Sequence, residues 1–164
     1  MFNFWNRKPP ISSNNGITQL FDQETFYCQF VKDLRLAESE VIIESPFISR
    51  YRMNALFPVF KELIDRNVRV FVVTRDPKEH IPEYAWQSED VIRRFEVLGV
   101  AVLLWPKNHH RKLAIIDRDV LWEGSLNILS QTKSQEIMRR FEGGNYACEM
   151  IDFLKLERHL PILD

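Results

Sequence analysis

The residues of this chain best suited to chemistry lie in a single stretch. His110, Lys112, Asp117, Gly124, Ser125 and Asn127 read as H-x-K-x4-D-x6-G-S-x-N, six fixed residue types over eighteen positions. A histidine serves as a nucleophile or a proton donor near neutral pH because its unperturbed pKa is about 6.5. A lysine two residues on, at strand spacing, faces the same side as that histidine. It supplies positive charge where phosphate oxygens would sit. Asn127 adds neutral donors and Ser125 a hydroxyl, both suited to developing oxyanion charge if the second strand lies beside the first. That combination handles phosphate.

Two strands and a turn must position these groups. Leu113 to Ile116 is the apolar run that a buried strand requires, and Arg118-Asp119 is a tight turn into Val120-Leu121-Trp122. The expected hairpin carries His, Lys, Ser and Asn to one patch. Lys112 inside an apolar strand needs a partner or a function. Asp117 ends a strand, where it serves equally well as a structural orienter or a direct participant. Gly124 allows close backbone approach or an unusual dihedral. Ser125 has a plainer alternative, a bond to nearby backbone. His109 is excluded from the pattern by its spacing to Lys112, which leaves it a loop residue or a secondary phosphate contact. His80 and His159 have no partner pattern and are expected at the surface.

The six residues resemble the signature of the phospholipase D superfamily, the HKD enzymes, with the family's spacing kept throughout. The resemblance implies an α/β, phospholipase D-like fold, a mixed and mostly parallel sheet with helices on both faces. It also implies a Glu on the next strand. Glu136, in Gln135-Glu136-Ile137-Met138, is the natural candidate. Facing His110, it would hold the imidazole through one nitrogen; facing solvent, it is a strand charge.

Also implied is a metal-independent phosphodiesterase without cofactor, in which His110 forms a phosphohistidine while Lys112 and Asn127 balance charge on the phosphoryl oxygens. A second histidine must protonate the leaving oxygen. Single-motif members resemble half of a two-motif enzyme, so a homodimer with one composite site is expected. The chain has no H-E-x-x-H or C-x-x-C pattern.

Small single-motif members of the family resemble endonucleases, which favours DNA or RNA as substrate. Lys107, Arg111, Lys133, Arg139 and Arg140 surround the motif and could contact a nucleic-acid backbone. Arg139 and Arg140 read equally as solvated strand-end residues. A larger assembly with a helicase or nuclease partner is compatible. Two other readings stand. One is a phospholipid phosphodiesterase or phosphatidyltransferase, for which Phe2, Phe4 and Trp5 in an N-terminal arm would be the membrane contact. The other is a non-catalytic nucleic-acid-binding or dimerisation module.

Length and composition fit a single soluble domain, residues 17–164, behind an arm of residues 1–16. The chain has 164 residues, 45% hydrophobic and 27% charged, enough apolar material for one core. A net charge of −1 gives no global basic field, so any polyanion must meet a local patch. Nothing resembles a signal peptide or a membrane span, and a cytoplasmic location is expected. Cys28 and Cys148 lack metal-type spacing and are expected as buried thiols.

The remaining elements follow from periodicity. Asp22 is expected to cap a helix to about Ala37. Val41 to Glu44 reads as a buried strand stopped by Ser45-Pro46. A helix over residues 53–66 follows, with Asn67 as its left-handed end, and then a strand over residues 68–73. Thr74 to Gln87, holding Pro77 and Pro82, reads as a long surface loop, with Ser88 capping a helix that Gly99 ends. Strands over residues 101–104 and 136–141 and a helix over residues 145–159 complete the pattern.

Overall fold

Among the described residues seven strands join into one sheet, whose order is β1-β7-β6-β5-β2-β3-β4 in the computed structural model. The structure describes residues 16–161 except His80 and Lys107, with Pro82 and Glu83 described by their backbone alone. The strands are β1 (Ile17–Asp22), β2 (Glu40–Glu44), β3 (Arg69–Arg75), β4 (Ala101–Trp105), β5 (Leu113–Ile116), β6 (Val120–Gly124) and β7 (Ile137–Glu142). The helices are α1 (Phe26–Leu36), α2 (Arg50–Asp65), α3 (Pro82–Leu98) and α4 (Tyr146–Leu154).

The sheet is mixed, but its balance differs from the expectation. Pairing is parallel where β2 meets β3 and β3 meets β4. It is antiparallel at the other four junctions. The parallel pairs are those joined by strand–helix–strand units, which end at β4, and the tight turn that follows makes β5 and β6 antiparallel.

Helices cover both faces. Phe26, Phe30, Leu56, Phe60 and Phe95 of α1, α2 and α3 pack on one face with Val41, Val70 and Trp122. Ala147 and Ile151 of α4 close the other against Ile42, Phe71, Ile115 and Leu121. Each of these large side chains contributes on the order of 1.5–3 kcal/mol by leaving water. Trp122 is wholly buried, and its indole Nε1 donates to Asp33 at 2.8 Å.

Several boundaries depart from expectation for identifiable reasons. Asp22 ends β1 instead of capping α1. Its carboxylate accepts from the backbone of Glu24 (3.1 Å) and Thr25 (2.9 Å) in the connecting turn, and Thr25 is the cap position. β1 itself is an edge strand whose residues are mostly exposed, so burial writes little periodicity into it. The segment read as a loop is a 3-10 turn at Pro77–Glu79 and then the first turns of α3. Pro82 supplies the first helical position, where its missing N–H costs nothing, so Ser88 lies within the helix. Gly99 (φ 104°) and Asn67 (φ 60°) do end their helices in the left-handed region. The last helix stops at Leu154, and a 3-10 turn over Leu156–Arg158 follows. Cys28 and Cys148 are exposed free thiols, not buried ones, because each falls outside the inward stripe of its helix. The expected arm lies outside the described residues but for Gly16, and Phe2, Phe4 and Trp5 are among those not described.

Candidate active site

The tight turn of residues 117–119 sets the hairpin. Asp117 (φ 51°) and Arg118 (φ 58°) both adopt the left-handed conformation, whose twist matches two antiparallel strands. Such a conformation is costly for non-glycine residues and must be held in place. The Asp117 carboxylate does so by accepting from Glu38 N (2.8 Å), Ser39 N (2.8 Å), Ser39 Oγ (2.8 Å) and Glu40 N (2.9 Å). Burial pushes this carboxyl up, but the bonds from Glu40, Glu38 and Ser39 outweigh it and hold the pKa below the ordinary value. With its oxygens so occupied, Asp117 clamps the turn to the residues before β2.

At the far end of the hairpin, β5 begins at Leu113, so Lys112 and His110 lie just before the strand. The Lys112 carbonyl still accepts from Gly124 N at 3.3 Å. His110 is exposed. The Lys112 ammonium lies 2.9 Å from His110 Nδ1, 3.5 Å from Nε2 and 2.9 Å from the His110 carbonyl oxygen. Burial lowers the Lys112 pKa, and the Glu136 carboxylate opposes that shift. His110 and Lys112 line a cleft of about 500 Å³ together with Gly124, Ile137, Arg139 and Phe153.

Gly124 has no room for a side chain. A Cβ there would lie 2.2 Å from the Ile137 carbonyl oxygen and 2.9 Å from Met138 Cα. Close approach of β6 to β7 lets Ser125 N donate to Ile137 O at 2.9 Å. Ile137 N donates back to Ser125 Oγ at 3.1 Å, and the Ser125 hydroxyl also donates to Glu136. Glu136 accepts a second hydroxyl, from Ser134, at 2.8 Å. The carboxylate expected to hold the imidazole is thus bonded to two serines and acts on Lys112 through its charge. Ser125 follows its plainer alternative and ties the motif to β7. Asn127 folds its backbone into a turn, its carbonyl accepting from Ser130 N (3.0 Å) and Gln131 N (2.8 Å). Its side-chain Oδ1 is buried without a hydrogen-bond partner. An acceptor left so asks for a hydrogen-bond donor, while the amide N–H2 of the same side chain is what could face an anion.

The expected substrate cations separate into two kinds. Arg139 and Lys133 are exposed, and Arg139 lines the cleft. Arg140 is 6% exposed and is not a strand-end residue in water. It binds Asp33 through Nε (2.7 Å) and Nη2 (3.1 Å) and Glu142 through Nη1 (2.6 Å), so it is not free for a substrate. Strand alternation explains the difference, since neighbours in β7 point to opposite faces. Arg111 is also committed. Its guanidinium meets both oxygens of the buried Glu44 at 2.5 and 3.0 Å and lies 5.5 Å over the Trp105 ring. Lys107 and His80 lie outside the described residues.

Glu44 is the site component that the sequence reading missed. It ends β2, directly opposite Leu113, and burial pushes its carboxyl up while Arg111 opposes that. A charge closing an apolar run was the available signal. Beside it sits His109, buried, with Nε2 3.6 Å from Glu44 Oε2, an electrostatic contact too long for a hydrogen bond. Burial, then the positive charges of Arg111, Lys112 and His110, push His109 down to about 4. His109 is therefore neutral and inside. His159 packs edge-on against Trp105 at 4.6 Å.

Among the described residues, no helix is long and apolar enough to cross a membrane, and no group of three or more His, Cys, Asp or Glu side chains could hold a metal ion.

The fold has solved relatives. NucT from Helicobacter pylori superposes with a TM-score of 0.69 at 16% identity, covering 87% of this chain and 95% of that one. The phospholipase D family member Nuc from Salmonella typhimurium gives 0.67 at 17% identity, covering 88% and 93%. Phosphatidylserine synthase from Haemophilus influenzae gives 0.65 at 15% identity, covering 87% of this chain and 38% of its own. At such identities the likeness is one of fold. No curated protein matches the sequence. Residues 30–145 match the family described as the cardiolipin synthase, PLD-like domain, over most of the chain and across the whole motif. The chain belongs to this PLD-like family of the phospholipase D superfamily.

Proposed function

We propose that the protein is a metal-independent phosphodiesterase that cleaves nucleic acid, with His110 as nucleophile and a second copy of the chain completing the site. The observation that carries this reading is the pairing of an exposed imidazole with an ammonium 2.9 Å from its Nδ1, at the lip of an open cleft. His110 attacks phosphorus, a phosphorus–oxygen bond breaks, and a phosphohistidine forms. The partner's imidazole gives its proton to the leaving oxygen, then takes one from the water that releases the phosphate and restores His110. Lys112 and the Asn127 amide stabilise the charge that accumulates on the non-bridging oxygens.

A second imidazole has to come from somewhere. Among the described residues His109 is buried and the exposed His159 is engaged edge-on with Trp105, which favours a symmetric copy of His110. Exposed Leu20, Ile137 and Phe153 beside the cleft supply apolar surface for such a contact. A nucleic-acid substrate is favoured by exposed Arg139 and Lys133 near the motif and by the chain's near-complete coverage of Nuc and NucT. Incubation with plasmid and single-stranded DNA in EDTA tests the proposal. Cleavage there, abolished by His110→Ala in a folded protein, is expected; cleavage that survives the substitution would remove His110 as nucleophile.

A further inference from the structure

A second recess, of about 470 Å³, opens where α2 and α3 begin. Both helices start just beyond the carboxyl ends of β2 and β3, and Leu113 pairs with the last residue of β2. The recess therefore shares a sheet edge with the start of the motif hairpin. Its rim carries two large aromatic side chains in water, Tyr51 at 69% and Tyr84 at 61% exposed, and Trp86, nearby in the same helix as Tyr84, is 62% exposed. Burying a ring of this size is ordinarily worth several kcal/mol in a core, so a cluster left out at one place calls for an occupant. The Arg50 guanidinium lies 4.4 Å over the Trp86 ring and Arg52 lies 5.5 Å from the Tyr51 ring. Between the rings the lining joins the apolar Phe47 and Ile48 to uncharged polar groups of Ser49, Gln87, Ser88, Ser130 and Thr132.

The motif's own loop forms one wall. Leu129 N donates to Ser45 Oγ at 3.1 Å, Ser49 N donates to Leu129 O at 2.9 Å, and Arg52 donates to Gln131 O at 2.7 Å. The segment carrying Asn127 is thereby fastened to the first turn of α2. Ser130 is three residues from Asn127, at most about 11 Å of extended chain. A polymer whose phosphate meets Asn127 thus has its next units at this rim.

We infer that the recess framed by Tyr51 and Tyr84 binds an unpaired nucleobase flanking the scissile phosphate, so that single-stranded nucleic acid is the substrate class. The inference rests on the nuclease reading above. Aromatic faces stack on any base, while hydroxyl and amide groups satisfy its edges without demanding one sequence. A base within a duplex is already stacked and paired on both sides and cannot enter without being extruded, which costs energy.

The test uses the full chain and three probes: a single-stranded 12-mer, its duplex, and bis(p-nitrophenyl) phosphate, a diester too small to reach the rim. Tyr51→Ala, Tyr84→Ala and the double variant are compared with the parent after thermal melts show that they fold. Expected is a drop of about tenfold or more in kcat/KM on the 12-mer, in line with the loss of one stacked base, with the small diester cleaved at the parent rate and the duplex cleaved poorly by all. Equal cleavage of duplex and single strand by the parent, or no change on the 12-mer in the variants, would overturn the platform and leave the nuclease standing. Absence of cleavage of every probe would overturn both. Flotation with phosphatidylcholine–phosphatidylglycerol vesicles, lost in the variants, would overturn the platform by making the rim a lipid contact.

Discussion

The Lys112 ammonium lies 2.9 Å from Nδ1 of His110 and the same distance from the His110 carbonyl oxygen. An ammonium donates and cannot accept, so Nδ1 is the acceptor and a neutral ring carries its proton on Nε2. The lysine thus occupies the lone pair that an attacking imidazole would use. A phosphate oxygen, carrying the negative charge that a neutral ring nitrogen lacks, draws the ammonium away and frees that lone pair. In this scheme substrate arrival itself arms the nucleophile.

The alkaline limb of the pH profile follows from Lys112. Burial lowers its pKa from 10.5, so the charge disappears as pH rises through a value below that. The activity that depends on it is present below the lowered pKa and lost above it. The kcat/KM profile should decline before pH 10.5. Lys112→Arg, which stays charged, should be slower throughout but lose that limb. A limb unchanged in the arginine variant would assign it to another group.

His109 makes stability depend on acid. Its folded pKa of about 4 lies below the ordinary 6.5, and Glu44 does not reverse this because Arg111 already balances that carboxylate. Between those two values the unfolded chain binds a proton that the folded chain refuses. The stability this group confers is complete above pH 6.5 and falls as pH drops toward 4. The full span is about 3 kcal/mol at most. Urea unfolding of the parent and His109→Gln at pH 7 and pH 4.5 measures it: the parent should lose about 2 kcal/mol more than the variant. Parallel losses would sink the idea.

Asp117 should matter to the fold more than to the reaction. Asp117→Ala strands three backbone N–H groups and a hydroxyl at the turn. The expected cost is on the order of 2–4 kcal/mol. At a temperature where both proteins are folded, kcat should remain within about threefold of the parent, less than 1 kcal/mol in the barrier. A collapse of kcat with an unchanged melting temperature would make Asp117 a participant after all.

Gly124→Ala places a methyl group 2.2 Å from a β7 carbonyl oxygen, and backbone cannot yield cheaply. β6 and β7 must separate, which drags Ser125 and Asn127 from their places. Loss of about 1–3 kcal/mol and most of the activity is expected. Melting curves and cleavage assays with the parent's stability would refute the contact.

Phe153→Asp puts a charge on the apolar surface flanking the cleft. If a second copy completes the site, light scattering should show a monomer and cleavage should fail, though His110 is intact. A monomeric variant with full activity would falsify the composite site.

The sequence showed the hairpin clearly because strand burial, turn chemistry and motif spacing all agree between Leu113 and Gly124. It showed α2 and β3 nearly as well, through apolar periodicity. β1 was invisible: Ile17 and Leu20 face water, so pairing with β7, not burial, makes the strand. The partners of Arg111 and Arg140 could not be read either. Glu44 and Asp33 are far from them in sequence and meet them only through the sheet order. A motif names the reacting groups, but which nearby charges are already taken is a tertiary fact.

The order of the strands has a consequence for synthesis. Residues 17–22 are made well before their mate, residues 137–142. The α2 and α3 crossover units can assemble early from neighbouring chain, whereas β1 must wait, its backbone N–H and C=O groups unpaired, until β7 has been translated. A nascent chain arrested before residue 137 should therefore leave residues 17–22 open to protease while the crossover units are protected.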